Sequence, residues 1–133
     1  DFEKVAAIGL PSAVRYEDAG GKPIALIDVT ITPTGAAGTV VLHSTEDTTL
    51  LAQREGTLRS IEQTFDASTP PATITLDYVP AACLQHRVAE DKVGTLIPFH
   101  VDAGPFHDAL FSIRLPETVK NELLDWVGRY CGW

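Results

Sequence analysis

A chain of 133 residues, 44% apolar and 21% charged, has the size and make-up of one globular domain that buries about two-thirds of its unfolded surface. That composition excludes a disordered chain, and no uncharged run approaches the roughly 20 apolar residues of a membrane span, so a soluble domain is expected. The formal charge of −8 (18 acidic against 10 basic residues), with Lys and Arg scattered, argues against nucleic acid and anionic membrane surfaces as partners, because both need clustered cations.

Residues 2–8 suit a first edge strand and Val14–Tyr16 a short second piece, separated by Gly9 and Pro11 and followed by the turn Asp18–Pro23. Ile24–Thr32 is the first regular strand: Ile27, Val29 and Ile31 alternate with Asp28, Thr30 and Thr32. After the turn at residues 33–38, Thr39–His43 returns as a strand, and Ser44–Asp47 reads as a turn. Thr48–Gln53 is a short strand. In Gly56–Phe65 the apolar residues stand three and four apart, but the composition and the neighbourhood favour a strand. Residues 66–71 form a loop. Ala72–Val79 alternates cleanly and Pro80 ends it. Val93–Asp102 repeats the pattern; Pro98 lacks a ladder donor, which predicts an edge strand or a bulge there. Residues 103–105 turn the chain into Ala109–Leu115, with Ala109, Phe111, Ile113 and Leu115 inward.

Residues 116–131 differ. Val119, Leu123, Trp126, Val127 and Tyr130 make one apolar stripe at helical spacing, with Pro116 and Glu117 suited to the first turn. Seven or eight short strands with this ending predict an all-β fold, an immunoglobulin-like β-sandwich closed by a C-terminal amphipathic helix, in a single domain over 1–133. The immunoglobulin tryptophan between two core cysteines is absent.

The chain begins at Asp1 and contains no methionine, as expected of a mature chain after signal removal or of a domain cut from a longer protein. Two distant cysteines, Cys83 and Cys131, suggest one disulfide in an oxidising compartment; two free buried thiols are the alternative. Cys83 and His86 also have the spacing of two zinc ligands, with Cys131 and His100 or His107 available to complete four. His100, Asp102 and His107 form a second candidate metal set, with zinc or another divalent cation as the implied cofactor, because imidazole and carboxylate lie close together there. A solvated strand edge explains the same residues without a metal. Glu90, Asp91 and Lys92 read as a charged turn or as the rim of a binding surface. No nucleophile elbow, phosphate loop or dinucleotide fingerprint occurs, so an enzyme is not expected.

The stretch at residues 74–101, through Cys83, His86, Ala89, Glu90, Asp91, Lys92, Gly94 and Thr95, resembles an uncharacterised family of secreted or lipid-anchored actinobacterial proteins. Where that family carries Arg before the cysteine and Asp after it, this chain has Ala82 and Leu84, so roles of those flanking residues do not carry over. The resemblance implies an extracytoplasmic, cell-envelope location, with a lipid anchor upstream of this chain or secretion, and it favours the disulfide. It implies no activity. Together these readings predict a binding or interaction module for an envelope protein or a small ligand, contacting its partner through His86, Glu90, Asp91 and Lys92. A metal-binding protein is the alternative.

Overall fold

The computed structural model describes residues 2–54, 56–85 and 94–133. Their elements are α1 (Phe2–Val5), β1 (Ala6–Gly9), β2 (Arg15–Ala19), β3 (Lys22–Pro33), β4 (Val40–Glu46), β5 (Leu51–Gln53), β6 (Leu58–Phe65), β7 (Ala72–Pro80), β8 (Leu96–Ala103), β9 (Phe106–Arg114) and α2 (Glu117–Cys131). All pairings are antiparallel. One sheet runs β1-β3-β7-β5 with β2 also on β3, and the other runs β6-β4-β8-β9. Their inner faces share one core, so the protein is an all-β sandwich with a C-terminal helix.

The period-two pattern of β3 explains its central place. Ile27, Val29 and Ile31 are buried, while Asp28 and Thr30 face solvent in part. Its hairpin with β2 closes through Gly20 and Gly21 at φ 64° and 85°, the left-handed pair that a two-residue turn of matching twist demands. The ambiguous segment 58–65 is a strand, as its composition suggested.

Three local expectations are corrected. Residues 2–5 form a helical turn before a shorter strand, because helical spacing lets Phe2 and Val5 bury side by side, whereas a strand would send them to opposite faces. β4 continues through residues 44–46, where a turn was expected: a bulge re-phases the strand and Thr45 enters the core, its hydroxyl donating to the Pro98 carbonyl at 2.8 Å. Finally, β8 is central, and no bulge falls at Pro98, which pairs with Ser112 in regular register. The Pro98 carbonyl faces β4 just where that ladder has ended at Thr45–Phe99, so its missing N–H leaves no partner unsatisfied.

Helix α2 covers one end of the sandwich. Val119, Leu123, Trp126 and Val127 are buried, and the Trp126 Nε1–H donates to the Pro23 carbonyl at 2.6 Å. The Glu122 carboxylate accepts from the Val14 N–H (3.1 Å) and the Tyr16 hydroxyl (2.9 Å), and burial with that bond pushes the Tyr16 phenol up to about 12. Gly132, at φ 82°, ends the helix in the left-handed conformation. A Cys83–Cys131 disulfide, with Cα atoms 5.6 Å apart, then ties the helix end to the segment after β7. That bond leaves neither sulfur as a thiolate for zinc, which removes the four-ligand site built on Cys83 and Cys131.

Candidate functional site

The outer face of the second sheet carries three register irregularities close together. In β4, His43 is the extra residue between the pairs Leu42–Val101 and Ser44–His100. Facing it in β6, residues 61 and 62 fall between Ser44–Ser60 and Leu42–Gln63. At the β8–β9 end, Asp102 stands opposite residues 107 and 108, between Val101–Ala109 and Ala103–Phe106. Bulges re-aim side chains, and here they re-aim charged ones. Glu62 and Asp108 take φ 49° and 51°, the two left-handed non-glycine residues among those described. That conformation is unfavourable for residues with a Cβ.

Those carboxylates meet histidines. His43 Nδ1 lies 2.9 Å from Glu62 Oε2, and His43 Nε2 lies 3.0 Å from Asp102 Oδ2. His100 Nε2 bonds Glu46 Oε2, and His100 Nδ1 is 3.2 Å from Asp108 Oδ1. The Asp108 backbone N–H donates to Asp102 Oδ1 at 2.7 Å, joining the two groups. His107 Nδ1 stands 3.9 Å from Asp102 Oδ2 and is largely exposed.

The geometry selects a protonation state. An imidazole that donates from both ring nitrogens is the cation, since the neutral ring has only one N–H. His43 and His100 each face carboxylates with both nitrogens, so the folded chain favours their charged forms. The proton affinity of His43 is accordingly raised, first by Glu62 and then by Asp102; that of His100 is raised mainly by Glu46. Asp102 is held below the usual carboxylate range by the Asp108 N–H and then by His43. As His43 and His100 lose their protons, the patch gives up two positive charges and becomes more acidic.

Comparison with protein-family models, curated proteins and solved structures finds no match. The site is therefore read from its own chemistry.

His100 and Asp102 share the outward face, as the strand period predicts, but the trio with His107 is not gathered. His100 turns to Glu46 and Asp108, while Asp102 turns to His43 and His107. Among the described residues, no group of three or more His, Cys, Asp or Glu is arranged to hold a metal ion. The expected binding residues His86, Glu90, Asp91 and Lys92 lie outside the described residues. Sequence reasoning missed His43, Glu46 and Glu62. His43 carried one weak signal, since the strand period puts it on the outer face with Val41. Glu46 lay in a segment read as a turn, and nothing in the sequence pointed from Glu62 to His43.

Proposed function

We propose that the chain is an extracytoplasmic binding module of the cell envelope, and that the histidine–carboxylate face of its second sheet is the contact surface. One observation carries this reading: three of the chain's four histidines meet four carboxylates on one solvent-facing side, drawn from all four strands of that sheet. The register shifts and left-handed residues that gather them carry a cost, and their side chains add nothing to the core. Leu110, paired with His100, is more than half exposed and adds apolar area to the polar patch. The disulfide agrees with an oxidising compartment.

Such a face recognises a basic segment of a protein partner, most strongly when His43 and His100 are neutral and no longer oppose the carboxylates beside them. The test is capture from envelope extract at about pH 8, on the alkaline side of the free imidazole value of about 6.5. Glu62→Ala and Asp108→Ala should abolish capture with thermal unfolding little changed, because both carboxylates are well exposed. Capture by these variants equal to wild type, together with its loss in Glu90→Ala or Lys92→Ala, would move the contact surface to the segment singled out in the sequence. Native mass spectrometry before and after chelation addresses the metal alternative, and a stoichiometric ion removed by chelation would put that alternative first.

A further inference from the structure

A different part of the molecule holds a cavity of about 300 Å³, lined by Gln53, Arg54, Arg59 and Asp77. It lies on the open seam between the two sheets. β5 pairs only with residues 78–80 of β7, so the edge of β7 from Ala72 to Asp77 has no strand beside it among the described residues. Arg59 crosses this gap from β6: its Nη1 donates to the Thr75 carbonyl and, at 3.0 Å, to Asp77 Oδ1. Arg54, just past β5, contributes the second guanidinium, its Nη1 paired with Glu17.

Two features of the wall are unexplained by the fold. Gln53 is 6% exposed and opposes Tyr78 across the β5–β7 ladder, and its Nε2 and the Tyr78 hydroxyl are the two buried side-chain polar atoms without a hydrogen bond among the described residues. Its backbone N–H is satisfied by Asp47 Oδ1 at 2.7 Å, so only the side-chain amide is left over. A buried amide donor without a partner is rare in folded proteins. Among the described residues Arg59 makes both its bonds through Nη1, and Nε and Nη2 of its five-donor fork remain for a ligand. The chain carries a net charge of −8, and two of its ten cations line this one cavity. Asp77, in the same wall, accepts from Arg59 and keeps acceptor capacity.

We propose that this seam cavity binds a small carboxylate that bears a hydroxyl or ammonium group next to the carboxyl. The carboxylate takes the Gln53 amide and the remaining Arg59 donors, a planar match that a guanidinium makes in two parallel bonds. The neighbouring hydroxyl or ammonium donates to Asp77. The volume is at the small end of ligand cavities, which limits the occupant to a compact molecule. The Asp77 carboxylate disfavours a dianion, so inorganic phosphate fits less well than a hydroxycarboxylate.

The test is an NMR titration of the ¹⁵N-labelled full chain with glycolate, acetate and inorganic phosphate. Glycolate should shift the Gln53 side-chain amide and the Arg59 Nε–H saturably. Acetate, lacking the hydroxyl, should bind about tenfold more weakly, the loss expected for one hydrogen bond to a charged group. Arg59→Lys keeps the charge but loses the fork and should weaken glycolate by about tenfold or more, with the rest of the spectrum preserved. Shifts that rise linearly with glycolate, or a Gln53 amide that stays still while other signals move, would overturn the site. Phosphate binding more tightly than glycolate would overturn the ligand class. The wild-type titration decides both points whether or not Arg59→Lys folds.

Discussion

Removing the Cys83–Cys131 bond is the most direct perturbation of this fold, and its size follows from the loop it closes. The two cysteines are 48 positions apart, and a crosslink of that span lowers the entropy of the unfolded chain enough to stabilise the fold by about 4 kcal/mol. Cys83 is exposed and Cys131 half-buried, so alanine at both positions removes little packing and leaves the loop term nearly alone. For 133 residues at roughly 2.1 cal/mol/K each, the unfolding entropy near the midpoint is about 0.28 kcal/mol/K. The Cys83→Ala/Cys131→Ala variant should therefore melt about 14 °C below the oxidised wild type in a calorimetric scan. Reducing the wild type should reproduce the drop. A drop under about 4 °C would refute the reasoning. It would mean that the crosslink does not restrict the unfolded chain as its span requires, and that the apolar stripe of α2 holds the helix by itself.

Three further outcomes are expected. The raised proton affinities of His43 and His100 give stability that is fully present below the free imidazole value of about 6.5 and is lost as pH rises through the folded midpoints above it. Imidazole NMR titrations should therefore place both midpoints above that value, and a midpoint at or below it for either ring would show that its pairs do not form in solution. Asp28, whose carboxyl is lowered to about 2 first by its bond from Arg15 and then by the Thr75 hydroxyl, acts on the acid side: its contribution is present above the unfolded carboxyl value and is lost as pH falls through about 2. Asp28→Asn should flatten that acid limb of the stability curve, and an unchanged limb would assign it to other carboxylates. Trp126→Ala empties a fully buried site under α2 and should cost about 3–5 kcal/mol by urea unfolding; a loss under about 1 kcal/mol would mean that the helix does not close the core.

The fold was largely legible before any coordinates. The alternation in 24–32, 72–79 and 93–102 and the stripe from Val119 to Val127 report directly on burial, because a strand or a helix turns each residue to a face at a known period. Failures came where burial and local pattern part. Residues 2–5 contain too few turns for periodicity to speak, and the continuation of β4 past His43 depends on a bulge that inverts the phase of everything after it.

The candidate site divides along the same line. His100, Asp102 and His107 stand within a few residues of one another, and their common neighbourhood follows from chain order alone. Their partners do not: Glu46 is 54 positions from His100, and Glu62 is 19 from His43. The seam cavity likewise joins β5, β6 and β7, and neither the orphan Gln53 amide nor the Arg59 crossing has a local signature. Composition, alternation and turn residues specify which strands form and which side of each faces water, since these are properties of a short stretch of chain. Which strands become neighbours, and with what register, is a matter of long-range pairing and shared burial. Only the assembled sandwich therefore decides which charge meets which.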